Sequence, residues 1–220
     1  MIELLDLTKS FATPNGRKYV ARGVNLTIPR GKAVALLGRN GAGKSTMLQM
    51  ISGNMNPDAG RVRTHGTVSF PVGFAGSFHR DLTGAQNARF VARIYGVDTD
   101  ELLDFVADFA ALGGHLHMPV RSYSSGMRSR LAFGISMGIH FDTYLVDEVT
   151  SVGDSAFRRK SAAIFKARMV QSSAIVVTHS LIEVRNLCTA GAVLENGEIT
   201  YFDDVEEAIA LHVGNMKKAR

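Results

Sequence analysis

The chain has a single cysteine, Cys188, in 220 residues. No intrachain disulfide can form, which excludes the disulfide-stapled secreted scaffolds and suits a reducing compartment. A long hydrophobic run is also missing. About 20 apolar residues are needed to cross a bilayer as a helix, and the nearest candidate, residues 131–141, is short and ends beside His140 and Asp142. Glu3 and Asp6 lie where a secretory signal needs a basic segment and an apolar core, so no export signal is expected. There is no arginine-rich arm, basic–aromatic stripe, internal repeat or low-complexity tract. Charge alone therefore gives no argument for nucleic acid. These absences leave a globular chain expected in the cytoplasm or at a membrane surface.

The composition agrees with that reading. A hydrophobic fraction of 45% and a charged fraction of 20% are ordinary, and the length allows a full core in one large domain or two small ones. The 25 Lys and Arg outnumber the 20 Asp and Glu, for a net charge of +5. That excess permits an anionic partner such as nucleic acid, lipid headgroups or an acidic polymer. It equally fits a mildly basic surface with no specific partner.

The most informative stretch is GRNGAGKS at 38–45, which satisfies the phosphate-loop pattern G-x-x-x-x-G-K-[ST]. Gly38, Gly41 and Gly43, with Arg39, Asn40 and Ala42 between them, let the backbone turn tightly so that successive N–H groups face phosphate oxygens. Lys44 supplies a compact positive charge for the β- and γ-phosphates, the Ser45 hydroxyl can ligate Mg²⁺, and Thr46 follows. The apolar run at 33–37 before the loop is of the buried-strand type, and 45–51 continues with helical spacing. Strand, glycine loop and helix N-terminus together form an anion site. The pattern predicts binding of a nucleoside triphosphate.

Along the rest of the chain, strands are expected at 2–7, 20–28, within 60–70, at 144–146 and at 174–177. A hairpin is expected at 192–195 and 198–201 around Asn196-Gly197. Helices are expected at 44–53, over most of 84–138 with breaks at 96–98 and 113–119, at 154–170 and at 181–187. The end, 216–220, reads as a frayed, solvated tail. Alternating strands and helices imply a parallel α/β core, with the helical middle inserted into it.

Three further motifs fit a phosphate site. The apolar strand at 142–148 ends in Asp147 and Glu148. Asp147 is placed to hold Mg²⁺ and Glu148 to polarise the attacking water. His179 follows another apolar strand at the edge where ligands of such sheets bind, and is read as a γ-phosphate contact that orients water. At 123–127, YSSGM opens a helix, where Ser124, Ser125 and Gly126 can offer a hydroxyl and backbone N–H groups to an anion, or act as an ordinary cap.

In this order the motifs resemble the nucleotide-binding subunit of ABC transporters over essentially the whole chain. The family's phosphate loop, helical subdomain, signature, Asp-Glu strand, D-loop and switch histidine match Gly38–Thr46, 84–138, 123–127, 144–148, 151–154 and His179. The runs YSSGMRSR, DEVTSVGD and FVARIY are similar to those of bacterial polysaccharide exporters, the capsular branch most of all. The resemblance implies an α/β P-loop NTPase: a RecA-like core with a mixed sheet, an antiparallel β region of the ABC type and an inserted helical subdomain. It implies one domain over 1–220, with the core at about 1–75 and 140–220 and the helical subdomain at about 76–139.

The same resemblance assigns Phe11 to stack on adenine and Asp154 to the D-loop, and makes Lys44, Glu148 and His179 the catalytic set. It implies ATP and Mg²⁺ as cofactors and a homodimer whose two sites each pair one phosphate loop with the other copy's signature. A separate integral membrane permease and polysaccharide export machinery are the implied partners, with no nucleic acid. The implied location is peripheral, on the cytoplasmic face of the inner membrane. The long C-terminal extension of some O-antigen and teichoic acid relatives is not expected here. Three departures stand out: Ser125 replaces a signature glycine, Val149 follows Glu148 where proline is common, and no glutamine lies between Gln49 and Gln86 to serve the Q-loop. His79 is the candidate substitute, or else a surface loop residue. A soluble ABC protein acting on nucleic acid, a GTPase and a non-hydrolysing scaffold are the competing readings. Each lacks its own signature here: a second cassette, an N-K-x-D motif and a degraded Asp147-Glu148 pair respectively.

Replacing Glu148 with Gln is expected to leave ATP binding intact and nearly abolish phosphate release, with a closed dimer accumulating in size-exclusion chromatography. Normal turnover by that variant would remove Glu148 from the catalytic set.

Overall fold

The computed structural model describes residues 1–14, 16–72, 78–147 and 155–218. In chain order, β1 (Ile2–Thr13) and β2 (Gly16–Ile28) form a long hairpin, and β3 (Ala33–Leu37) leads into α1 (Lys44–Ile51). Next come β4 (Ala59–Thr64), β5 (Val68–Val72), α2 (Gly84–Tyr95), α3 (Thr99–Ala110), two short 3-10 turns (Gly113–His117 and Val120–Ser122) and α4 (Ser125–Gly138). The chain continues through β6 (Thr143–Asp147), α5 (Ser155–Met169), β7 (Ser173–Val177), α6 (Leu181–Leu187), β8 (Ala190–Glu195), β9 (Glu198–Phe202) and α7 (Val205–Lys218). It divides into two compact units, one of Met1–Ser69, Phe141–Glu148 and Met169–Arg220, the other of Phe70–His140 and Val149–Arg168.

The strands form two sheets. A six-stranded sheet runs in the order β5-β6-β7-β3-β8-β9, and a three-stranded one in the order β2-β1-β4. In the larger sheet β6, β7, β3 and β8 pair in parallel, while β8 and β9 form the expected antiparallel hairpin. All five residues of β7, SAIVV, are buried. Such unbroken apolar runs mark parallel strands covered on both faces, which is why they were readable in sequence. Helix α1 buries Met47, Leu48, Met50 and Ile51 in one core with Ile2, Leu4 and Leu7 of β1 and Val34, Leu36, Leu145 and Ile175 of the larger sheet. At the entrance to β6, Asp142 accepts hydrogen bonds from the Thr67 backbone N–H (2.8 Å) and hydroxyl (3.0 Å). Those bonds hold its carboxyl below the usual range.

Two differences from the sequence expectation are physical. β1 and β2 extend to Thr13 and back to Gly16. Their outer halves carry exposed polar residues, so hydrophobic alternation stops where pairing continues, down to Thr13 opposite Gly16. No element was expected after the last hairpin, yet α7 occupies Val205–Lys218 and includes residues 216–218 of the expected frayed tail. Asp204 Oδ1 accepts from the Glu206 N–H at 2.9 Å, Glu206 and Glu207 start the helix and Lys217 and Lys218 end it. That placement suits the helix dipole. Ala208 is fully buried, and a side chain added at Gly191 of β8 would collide with it.

The second unit is helical around a cluster of rings. Phe109 lies 5.7 Å from Phe105, 5.6 Å from Phe133 and 5.3 Å from Phe157, centroid to centroid. Its helix ends are specified locally. Thr83 and Gln86 form a capping box at α2, Gly96 closes that helix in the left-handed conformation, and Asp98 caps α3. The expected breaks at 96–98 and 113–119 fall at Gly96 and at the 3-10 turns.

Two measurements check this packing. Leu145 is fully buried in β6, so Leu145→Ala is expected to lower unfolding free energy by about 2–5 kcal/mol in urea titration. Burial pushes the Cys188 thiol up to about 12. The native protein should therefore resist a thiol reagent at mildly alkaline pH and react fully once unfolded.

Candidate nucleotide-binding site

The loop from Gly38 to Gly43 joins β3 to α1 in the first unit. It is closed by a hydrogen bond from the Ala42 N–H to the Arg39 carbonyl, 3.0 Å. Gly41 and Gly43 take φ of 74° and 109°, left-handed values that a residue with a Cβ adopts at a cost. A side chain at Gly43 would also strike Val20 of β2. Gly43 is itself the N-cap of α1, with no side-chain cap and no acidic residue in the first turn. No N-cap side chain covers the start of α1, which with the helix dipole forms a site for an anion.

Lys44 is 9% exposed. Its Nζ donates to the Gly38 carbonyl at 2.8 Å and the Arg39 carbonyl at 3.1 Å, so its charge is held inside the loop. A cleft of about 420 Å³ opens over the loop. Its floor is Asn40, Gly41, Gly43, Lys44, Ser45 and Thr46; its walls are Phe11, Lys18 and Val20 on one side and Val177 and His179 on the other. Phe11 is 41% exposed on β1, with the Lys9 ammonium 5.6 Å from its ring centre. His179 follows β7 and precedes α6, whose first turn is fixed by Ser180 accepting from the Glu183 N–H (3.3 Å) and by Thr178 donating to the Glu183 carboxylate (2.7 Å).

The C-terminal ends of β3, β7 and β6 lie side by side, since β7 pairs with both neighbours and Asp147 stands opposite Val177. Asp147 is partly exposed there, and Ser45 is exposed on the first turn of α1. These two oxygen donors are of the kind a hard divalent cation takes. Of the expected loop residues, Asn40, Gly41, Gly43, Lys44, Ser45 and Thr46 share one cleft with Phe11 and His179, Gly38 and Arg39 line a neighbouring cleft, and Asp147 ends the strand next to β7. Glu148 and Asp154 lie outside the described residues.

Ser124, Ser125 and Gly126 belong to the second unit, at the start of α4. Ser124 Oγ accepts from the Met127 N–H at 3.2 Å, so it is the cap of α4, and its own O–H remains a donor. His79, also in the second unit, is a loop residue whose backbone exchanges hydrogen bonds with the Asn87 side chain at 2.9 and 3.1 Å.

Sequence reasoning missed Lys18, Val20 and Val177 as cleft residues. Lys18 went unnoticed because β2 was expected to begin only at Val20. It also missed His212 of α7, which lines a second cleft behind the loop together with Arg39, Lys44 and Met216. Burial and the nearby Lys44 charge hold the His212 ring below its ordinary pKa, against a smaller opposing effect of Glu195.

With this geometry in hand, the comparisons with known proteins are direct. A family profile described as ABC transporter matches residues 21–151. The polysialic acid transport ATP-binding protein KpsT of Escherichia coli is 50% identical over 212 residues, covering 95% of each chain. ATP-binding protein BexA of Haemophilus influenzae is 40% identical over 94% of this chain and 96% of its own. An O-antigen export system ATP-binding protein, RfbB of Klebsiella pneumoniae, is 34% identical over 93% of this chain and 85% of its own. Among solved structures, the dimeric post-hydrolysis ATP-binding cassette MJ0796 bound to ADP and Pi superposes with a TM-score of 0.78. It covers 93% of this chain and 99% of its own at 22% identity, which speaks for the fold. Phosphate loop, sheet order and sequence similarity agree: the chain belongs to the ABC transporter family and is an ABC-type ATPase with the P-loop α/β fold.

Proposed function

We propose that this chain is the ATP-hydrolysing subunit of a capsular polysaccharide exporter, working as a homodimer beneath a separate permease on the cytoplasmic face of the inner membrane. The observation that carries this reading is the 50% identity, over 95% of both chains, to a polysialic acid transport ATP-binding protein. O-antigen export proteins are less similar, at 34% to 38% identity. No helix among the described residues is long and apolar enough to cross a membrane; in this reading the membrane-embedded part is the permease.

In this reading Phe11 stacks on adenine, and the N–H groups from Arg39 to Thr46 cradle the phosphates. Lys44 exchanges its two carbonyl partners for the β- and γ-phosphates. Glu148 polarises the attacking water and His179 contacts the γ-phosphate. Mg²⁺, when bound, would be held by Ser45 and Asp147 and would neutralise charge on the phosphates. Ser124, Ser125 and Gly126, with Asp154, act on the nucleotide of the other copy. ATP then favours the closed dimer because those contacts exist only there, and phosphate release removes them. The export machinery and the polymer are met through the permease.

Complementation between defective chains tests the shared site. Lys44→Ala and Ser124→Arg should each be nearly inactive alone. Mixed in equal amounts they give roughly half heterodimers, each with one intact site of two, hence up to about a quarter of wild-type phosphate release. No recovery in demonstrably mixed dimers would argue against sites built from two copies. Polysaccharide export is read separately: deleting the gene should remove the surface polysaccharide, and an intact capsule would overturn that part.

A further inference from the structure

We propose that Lys18 of β2 is a second cation of the nucleotide site, binding the phosphates that ATP and ADP share. The inference rests on the reading of the loop as an adenine nucleotide site. The pairing of β1 with β2 shifts by one residue at Val20, between Tyr19 and Ala21, and both Lys18 and Val20 line the cleft over the loop. The glycine contacts agree. Val20 abuts Gly43, and the Lys18 ammonium lies 3.4 Å from where a Cβ on Gly41 would be. Two alternate residues of the strand thus meet two alternate glycines of the loop.

Across the hairpin, Lys18 pairs in register with Phe11, which lines the same cleft. An adenine on Phe11 and phosphates on the α1 N-terminus would place Lys18 beside the chain that joins them, opposite Lys44. Neighbouring cations of the hairpin are already engaged: Lys9 with Asp58 at 2.9 Å and Arg22 over the Tyr19 ring at 4.5 Å. Among the described residues the Lys18 ammonium has no hydrogen-bond or ion-pair partner, although Lys18 is exposed at the cleft rim. A phosphate would provide one through a charge-assisted bond.

The test is calorimetric binding of ADP and of a non-hydrolysable ATP analogue to the purified full chain. Lys18→Gln is expected to weaken both by the same factor, roughly fivefold for a solvent-exposed charge contact, and to flatten the dependence of affinity on salt. Lys18→Arg should stay within about twofold of wild type, since it keeps the charge. Arg17→Gln removes the same charge one residue away, on the other face of the strand, and should change neither affinity. A loss confined to the triphosphate, or equal affinities for wild type and Lys18→Gln, would overturn the assignment of Lys18 alone. Wild-type protein that bound neither nucleotide would overturn the ATPase reading, and this inference with it.

Discussion

The structure depends on one constraint: α1 must present a bare N-terminus to the cleft while its other end is driven into the core. With glycine in place of a capping side chain the helix start forgoes about a few tenths of a kcal/mol, and Gly43 adds the conformational cost of a left-handed glycine. Burial of Met47, Leu48, Met50 and Ile51 contributes about 1.5–3 kcal/mol for each such side chain. Apolar packing therefore wins by a wide margin, and the helix stays in place with no N-cap side chain over its start. The position of the phosphate loop is thus set by the core behind it. That is also why β3 and β7, strands buried along nearly their whole length, end at the site.

The hairpin of β1 and β2 solves a different problem. Its outer end carries Phe11 and Lys18 on strands with few buried side chains, so the core cannot hold it. Polar contacts do so instead. Asp58, just before β4, accepts from the Lys9 ammonium and from both the backbone N–H and the hydroxyl of Ser10. These bonds pull its carboxyl down to about 2, with the Lys9 contact the largest cause. Because that value lies below the ordinary one, the tether is intact above the usual carboxylate range and is lost only as pH falls through about 2. At any physiological pH Asp58 fixes β1 at Lys9 and Ser10, directly before Phe11.

How much of this could be read in the sequence follows from the same division between packing and polar pairing. The phosphate loop, the buried parallel strands and the Asn196-Gly197 hairpin were legible because each is specified locally, by a glycine pattern or an unbroken apolar run. Helix α7 was not. It has Gly214 inside and a mixed face, and its stability comes from Ala208 seating on Gly191 of β8, a pairing between residues 17 positions apart. The outer halves of β1 and β2 were missed because backbone pairing, not burial, makes them strands. That error alone hid Lys18 from the first reading of the site. Ser124 was legible as either cap or anion contact, and the structure gives it the first of these roles within its own chain.

Lys44 shows how the loop is kept ready. A buried ammonium without partners would be costly, yet this one donates to the Gly38 and Arg39 carbonyls, so the loop supplies a neutral substitute for the phosphates. Exchanging neutral carbonyl acceptors for phosphate oxygens adds the attraction of opposite charges to bonds whose donor is already ionised. The charge therefore never has to be desolvated anew when nucleotide arrives. On the far side of the loop, His212 meets the same Lys44 charge and is held below its ordinary pKa by burial first and by that charge second. A neutral ring there adds no second cation against Lys44, so the attraction of the site for anions is concentrated on the face where the α1 N-terminus opens.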